Sequence, residues 1–140
     1  MDIGALIVDD QSHIRLLLRT VIEDANHGLF VAGEAASGPE AVEHAQSDDP
    51  LVIVLDNVMP EMSGVEAAEI IRSQRPTQEI ILCSAYLDND LIDRARAAGV
   101  GHFLAKDQMR RLPALIHEVV GAPPASNLRS SSTNDADLAR

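Results

Sequence analysis

The amino-acid sequence predicts an α/β protein whose doubly wound parallel sheet has five strands, with five helices packed on it. Apolar runs typical of strands alternate five times with amphipathic helical stripes, and the connections are short. Such alternation favours parallel strands joined by helical crossovers. Residues 51–55 are also five consecutive branched apolar residues, as expected of a strand that helices cover on both faces.

In the first half of the chain, residues 3–8 form a short apolar run that predicts the first strand. A helix from Ser12 to about residue 25 follows, with Ser12 as candidate N-cap. Its apolar stripe consists of Ile14, Leu17, Leu18, Val21, Ile22 and Ala25. Residues 29–36 predict the second strand, with Gly33 as a possible bulge. Ser37-Gly-Pro-Glu has the spacing of a capping box and begins a helix that ends near residue 46.

The second half begins with the central strand, 51–55, after which Pro60 prevents immediate continuation into a helix. The later elements follow from the same periods and from Pro and Gly at their ends. They are a helix over 63–74, a strand over 79–83, a helix over 88–98, a weaker strand over 102–105 and a final amphipathic helix over 112–120.

Length and composition predict one domain followed by a tail. The 140 residues suit a single core, and we expect residues 1–121 to form it. Residues 122–140 are rich in Pro and Ser and lack a hydrophobic period, so they are expected to be disordered.

The charge and hydropathy of the chain argue against two classes of partner. The formal net charge of -11 disfavours direct nucleic-acid binding, which needs clustered basic residues. No apolar run approaches the roughly 18 residues of a membrane span. The single cysteine, Cys83, fits a reducing compartment. We therefore expect a cytoplasmic protein without membrane contact.

Polar residues follow four of the five predicted strands. Asp9 and Asp10 follow the first, Asp56 the third, Ser84 the fourth and Lys106 the fifth. Parallel strands bring their carboxyl ends to one edge of the sheet, where open α/β sheets place their chemistry. Lys106 is the only lysine beside ten arginines, which suggests that its position requires a compact ammonium group. Three gathered carboxylates also need a cation, and an all-oxygen site suits Mg²⁺.

These residues, with Met59-Pro60, Gly64 and Ala85, resemble the receiver domain of bacterial two-component response regulators. The resemblance covers residues 3–121, in order, and is closest to the stand-alone, chemotaxis-regulator-like form. It implies a flavodoxin-like fold with strand order 2-1-3-4-5. The sheet order itself comes from this resemblance.

The resemblance also implies a role for each site residue. Asp56 would be the phosphoacceptor, Ser84 would bond a phosphoryl oxygen and Lys106 would pair with another. Mg²⁺ would be held by Asp10 and Asp56 directly, by Asp9 mainly through water, and by the backbone carbonyl of Val58. Phe103 would act with Ser84 as a switch that changes rotamer on activation.

Partners are implied in the same way. The phosphoryl group would come from a histidine kinase or a histidine phosphotransfer protein. A downstream protein or a second copy of the chain would bind the face built from the fourth helix, the fifth strand and the last helix. The domain would catalyse only its own phosphoryl transfer and slow autodephosphorylation. Val58 and Tyr86 stand at positions that tune that hydrolysis, and neither is an acid or amide able to orient water.

Two alternative functions remain open from the sequence. The chain could be the receiver portion of a longer DNA-binding regulator, since Asp107 after the lysine hints at such a subfamily; the residues after Gly121 are too few for a helix-turn-helix unit. An Asp-nucleophile phosphohydrolase of the haloacid-dehalogenase type is disfavoured, because that class has a second Asp where this chain has Val58.

Overall fold

A computed structural model describes residues 2–25 and 27–121. The five strands form one parallel sheet with the order β2-β1-β3-β4-β5, as the resemblance implied. The strands are β1 (Ile3–Val8), β2 (Leu29–Ala35), β3 (Val52–Leu55), β4 (Glu79–Ser84) and β5 (His102–Ala105). The expectation of a disordered segment over 122–140 lies outside the described residues.

Five α-helices connect and follow the strands: α1 (Ser12–Ala25), α2 (Gly38–Asp48), α3 (Gly64–Gln74), α4 (Asn89–Ala97) and α5 (Leu112–Val119). A 3₁₀ helix, Lys106–Arg111, lies between β5 and α5 and was not predicted. Within the described residues, no helix is both long enough and apolar enough to cross a membrane.

The sheet separates two apolar cores. In β3 the side chains alternate, so that Ile53 and Leu55 pack on the side of α2, α3 and α4, whereas Val52 and Val54 pack on the side of α1 and α5. All four are at most 1% exposed. This burial on both faces explains why β3 is continuously apolar, and it fixes the strand that ends at Asp56.

The helix N-termini mostly follow the capping pattern of the sequence. Ser63 and Glu66 make a complete capping box at α3. At α2 the hydroxyl of Ser37 accepts from the Glu40 N–H, but the Glu40 carboxylate accepts from the N–H of Ala36, one residue earlier than in a capping box.

Two details of α1 differ from the prediction. Ser12 is not the N-cap but the first helical residue, and the carbonyl of Gln11 accepts bonds from the N–H groups of Ile14 and Arg15. Leu17 belongs to the predicted apolar stripe, which was expected to face the core, yet this residue is 50% exposed. The contact face of α1 is narrower than the apolar stripe, because the helix rests on the sheet through Leu18 and Ile22.

A bulge is confirmed in β2. Ala5 pairs with Val31, but Leu6 pairs with Gly33, so Ala32 is an extra residue in this edge strand. The bulge adjusts the register so that Val8 pairs with Ala35, and the Asp9 N–H then donates to the Ala35 carbonyl. The hydrogen bonds between β1 and β2 therefore continue to Asp9, the first residue of the predicted site.

Candidate functional site

The carboxyl ends of β1, β3, β4 and β5 meet at one edge of the sheet. Register pairs Val8 with Leu55 and Leu55 with Leu82, and it pairs Ser84 with Ala105. The next residues along β1, β3 and β5 are Asp9, Asp56 and Lys106, and Ser84 is the last residue of β4. The topology thus brings together the polar residues that the sequence singled out.

Three carboxylates form the centre of the site. One oxygen from each of Asp9, Asp10 and Asp56 lies within 4.8 Å of the others. Asp9 is 1% exposed and Asp56 is 4% exposed, whereas Asp10 is exposed at the rim. At about 4 Å, two like charges repel by roughly 4 kcal/mol at an effective dielectric constant of 20, so the cluster requires positive charge.

Lys106 supplies part of that charge. Its Nζ lies 2.8 Å from Asp9 Oδ2 and 3.3 Å from Asp56 Oδ1, so one ammonium group bridges the two buried acids. Burial lowers the pKa of Lys106, but the close contact with the Asp9 carboxylate and the negative charges of Asp56 and Asp9 outweigh it. The net pKa is raised, and the side chain stays charged.

The carboxyl of Asp56 has a raised pKa. Burial is the largest cause, and the negative charge of Asp9 adds to it, while Lys106 and a backbone hydrogen bond from Val58 act in the opposite direction. A raised pKa means that the folded protein holds the Asp56 carboxylate at a cost. Additional positive charge in the pocket would relieve that cost.

The residues present fit Mg²⁺. The donors are all oxygens, which Mg²⁺ prefers. Asp9 Oδ2 is fully buried and, among the described residues, has no hydrogen bond of good geometry despite its short distance to Lys106 Nζ. Three carboxylates and one ammonium leave two uncompensated negative charges, which a divalent cation matches. Val58 borders the same pocket, and its carbonyl stays a predicted ligand.

An open cavity of about 490 Å³ lies over the carboxylates. Asp56, Ser84, Lys106, Tyr86 and Arg94 are among the residues that line it. The Tyr86 side chain is 84% exposed and that of Val58 is 75% exposed. The cavity is large enough for a tetrahedral anion such as phosphate and opens to solvent.

The loop after Asp56 is held by its own backbone and by one amide side chain. The carbonyl of Asn57 accepts from the Gly64 N–H at 2.9 Å, and Asn57 Oδ1 accepts from the Val65 N–H at 3.1 Å. A Cβ on Gly64 would lie only 2.2 Å from the Asp56 carbonyl oxygen. Glycine is therefore required where α3 begins against the loop that follows Asp56.

Ser84 and Phe103 occupy different places. Ser84 is 3% exposed and lines the carboxylate pocket. Phe103 packs partly buried against the core and lines a second cavity of about 200 Å³ with Leu104, Arg111 and Leu115, among others. The guanidinium of Arg96 lies 5.5 Å from the centroid of its ring. Phe103 is therefore outside the carboxylate pocket.

Sequence reasoning missed Arg15. Its Nη1 donates to the Asp9 carbonyl at 2.8 Å, and its Nε donates to Glu34 Oε1 at 3.1 Å. One feature of the sequence could have indicated its role: Arg15 is a cation in the first turn of α1, where the helix dipole disfavours positive charge. Such a residue needs a specific partner, but the sequence alone does not identify Glu34 of β2.

The chain belongs to the response regulator receiver domain family, because residues 5–117 match that family. It is 40% identical over 101 residues to the chemotaxis protein CheY of Thermotoga maritima, a match that covers 72% of this chain and 82% of that protein. The response regulator domain of Thermotoga maritima CheB has a TM-score of 0.79 at 26% identity, with coverage of 89% and 100% respectively.

Another relative is the protein-glutamate methylesterase/protein-glutamine glutaminase of Alkalilimnicola ehrlichii. It is 38% identical over 108 residues, which is 76% of this chain but only 27% of that protein. The protein described here is a signalling switch of two-component systems, and its three aspartates are typical of a phosphoacceptor site.

Proposed function

We propose that Asp56 is the residue that receives the phosphoryl group. A carboxylate oxygen of Asp56 attacks the phosphorus of a phosphohistidine, the P–N bond breaks and its electron pair stays on the imidazole of the donor. A carboxylate can serve as such a nucleophile when the charge on the transferring group is neutralised. The observation that carries the proposal is the buried Asp56 carboxylate at the end of β3, 3.3 Å from Lys106 Nζ.

The neighbouring residues have separate roles in this proposal. Lys106 pairs with one phosphoryl oxygen, and the Ser84 hydroxyl donates to another. Asp10, Asp56 and the Val58 carbonyl would hold Mg²⁺ directly, and Asp9 mainly through water. When bound, Mg²⁺ would neutralise charge on the phosphoryl oxygens. The burial of Asp9 and Asp56 supports these roles, since it limits competing water in the floor of the pocket.

The domain would catalyse only its own phosphorylation and a slow loss of the phosphoryl group. Val58 and Tyr86 flank the mouth of the pocket, and neither carries an acid or amide that could position an attacking water. A phosphohydrolase that acts on external substrates remains disfavoured for the same reason, since Val58 occupies the position of its second acid.

The donor would be a histidine kinase or a histidine phosphotransfer protein in the cytoplasm. The output would pass through the α4–β5–α5 face, defined here as residues 89–97, 102–105 and 112–119, to a downstream protein or a second copy of the chain. The cavity that Phe103 lines together with Arg111 and Glu118 supports that choice of face. The alternative of a longer DNA-binding regulator stays a prediction.

The test is phosphorylation with acetyl phosphate and with a phosphohistidine protein, each with and without EDTA, followed by mapping of the acyl phosphate. We expect label on Asp56 only, with loss of labelling in EDTA and in Asp56→Asn. Asp107→Asn, a change of an exposed acid beside Lys106, serves as control and should label normally. Label retained in Asp56→Asn, or unaffected by EDTA, would contradict the proposal.

A further inference from the structure

The guanidinium group of Arg15 connects α1, β1 and β2 beside the carboxylate pocket, which is the proposed metal site. From the first turn of α1 it donates to the backbone carbonyl of Asp9 at the end of β1, at 2.8 Å. It also donates to the carboxylate of Glu34 in β2, at 3.1 Å. The planar fork of arginine can make both bonds at once, which a point-like ammonium cannot do equally well.

Glu34 is itself held by two arginines. Arg19, one turn further along α1, lies 2.6 Å from Glu34 Oε2 and 2.9 Å from Glu23. Hydrogen bonds from Arg19 and, to a smaller extent, Arg15 lower the pKa of Glu34, although burial partly opposes them. Glu34 thus remains ionised and anchors Arg15, whereas Arg19 donates to Glu34 and Glu23 and not to Asp9.

Three of the four polar atoms of Asp9 are hydrogen-bonded, and the fourth, Oδ2, faces Lys106. Its N–H donates to the Ala35 carbonyl, its Oδ1 accepts from the Gln11 N–H at 2.9 Å and its Oδ2 faces Lys106. The remaining group is the carbonyl, which Arg15 holds. That carbonyl belongs to the peptide plane that leads into Asp10, so the bond also restricts the direction in which Asp10 leaves the strand.

We propose that Arg15 is a positioning residue for the metal pocket, holding the Asp9–Asp10 peptide so that the exposed Asp10 carboxylate faces the other two. This inference rests on the proposed function of Asp9, Asp10 and Asp56. Arg15 bonds the Asp9 carbonyl and Glu34 rather than any of the three carboxylates of the cluster. Electrostatics alone would give the opposite role, because a cation near a Mg²⁺ site weakens Mg²⁺ binding.

The opposite signs of these two effects define the experiment. Mg²⁺ affinity is measured by titration of the folded protein with Mg²⁺ alone, for wild type, Arg15→Gln and Arg19→Gln. Loss of an outer hydrogen bond to a ligand commonly costs about 10-fold or more in metal affinity. We expect Arg15→Gln to weaken Mg²⁺ binding about 10-fold, although a positive charge is removed. Arg19→Gln removes the same charge from the same carboxylate and should change the affinity less than about twofold.

Arg15→Lys is a second variant, which keeps the positive charge beside Glu34. It keeps the inference testable if Arg15→Gln does not fold. Because one ammonium cannot replace the fork, we expect a loss of affinity similar to that of Arg15→Gln. Without Mg²⁺, the Gln11 amide should exchange with solvent faster in both Arg15 variants than in Arg19→Gln. Phosphorylation by acetyl phosphate should approach the wild-type rate at saturating Mg²⁺. Unchanged or tighter Mg²⁺ binding in both Arg15 variants would overturn the inference.

Failure of the proposed function would look different. If Asp10→Asn and Asp56→Asn both bind Mg²⁺ as tightly as wild type, the pocket is not the metal site and the proposed function fails with the inference. If these two variants lose Mg²⁺ but both Arg15 variants retain it, the metal site stands and only the role of Arg15 is wrong.

Discussion

The charge of Lys106 matters at the residue scale because it is shared. Its Nζ contacts Asp9 at 2.8 Å and Asp56 at 3.3 Å, and both carboxylates are nearly inaccessible to solvent. A buried charge that loses its partner costs several kcal/mol, so this ammonium links the stability of the pocket to its chemistry. Arginine, which the chain uses at its ten other basic positions, has a planar group that needs more room.

Lys106→Arg should therefore impair function although the charge is conserved. We expect phosphorylation by acetyl phosphate to be retained but slowed about 10-fold, because the planar guanidinium needs more room than the compact ammonium between the two buried carboxylates. The rate is measured at saturating Mg²⁺. Arg110→Lys, the reverse exchange on the exposed side of the 3₁₀ helix, is the control. A wild-type rate in Lys106→Arg would show that any cation suffices there.

Asp56→Asn should stabilise the fold in the absence of Mg²⁺. Burial and the charge of Asp9 raise the pKa of Asp56, so the folded state binds this proton more tightly than the unfolded chain does. The stabilisation that this proton gives is complete below the ordinary carboxyl range and is lost as pH rises through the raised pKa. At neutral pH the carboxylate is thus a cost that Asn removes. The gain is on the order of 1 kcal/mol, since the lost attraction to Lys106 offsets part of the repulsion.

Urea unfolding at neutral pH and near pH 4 measures this effect. We expect the difference between Asp56→Asn and wild type to shrink as pH falls. Asp107→Asn removes an exposed carboxylate and should change the free energy of unfolding by less than about 0.5 kcal/mol. A variant less stable than wild type at neutral pH would mean that the bond to Lys106 dominates.

The loop between β3 and α3 joins Asp56, the proposed phosphoacceptor, to the helix layer. Asn57 closes the loop by accepting from Gly64 and Val65, and the Gly64 Cα lies against the Asp56 carbonyl. The backbone of Asp56 is also fixed by its N–H bond to Val8 O at 3.0 Å. The loop can therefore keep the Asp56 carboxylate in place while its outer residues remain exposed.

Gly64→Ala should destabilise the fold and disturb the site together. The new methyl group would lie 2.2 Å from backbone oxygen, which cannot rotate away. Overpacking of this kind costs about 1–3 kcal/mol, and we expect slower phosphorylation as Asp56 shifts. Gly101→Ala is the matched control, because a Cβ there meets nothing within 4 Å. Equal stability of the two variants, by urea unfolding, would exclude the close approach at Gly64.

The sequence was sufficient for the elements whose signals are local. Strand periods, caps and Pro or Gly ends predict all five strands and five α-helices to within about two residues. It was insufficient where tertiary contacts decide: the 3₁₀ helix after Lys106, the exposure of Leu17 and the bond from Arg15 to Asp9. The pocket was predictable because parallel strands share a direction. Polar residues at the carboxyl ends of four strands must therefore lie at the same edge of the sheet.

At the scale of the whole molecule, the two sides of the sheet have different relations to the pocket. Arg15 and Glu34 lie near β1 and β2, at one side of the carboxylates, and α4 and β5 lie at the other. Ser84 ends β4 between them, and its neighbour in the sheet, Ala105, is two residues from Phe103. A change at Ser84 can therefore reach the α4–β5–α5 face without crossing the core between α1 and α5.

This arrangement leads to an expectation for signal transmission. Phosphorylation adds roughly one negative charge and three strong acceptor oxygens, which should draw the Ser84 hydroxyl and the following loop inward and make room for Phe103 to turn. The Arg96 guanidinium, 5.5 Å from the Phe103 ring, opposes that turn. An exposed cation–π contact is worth about 0.5–1 kcal/mol, so its loss should favour the turned state about two- to fivefold.

NMR with beryllofluoride, an acyl-phosphate mimic, tests this expectation. Shift changes should extend from Asp56 through Ser84 to Phe103 and residues 88–120, and Arg96→Gln should need less beryllofluoride for the same change. Arg19→Gln, which removes a charge on α1, should leave the titration unchanged, because the Arg19 guanidinium pairs with Glu34 and Glu23 on the far side of the carboxylates from α4 and β5. Changes confined to the loops around Asp56, with α4 and α5 silent, would rule out the α4–β5–α5 face as the output. An Arg96→Gln titration identical to that of wild type would leave that face in place but remove Arg96 from control of Phe103.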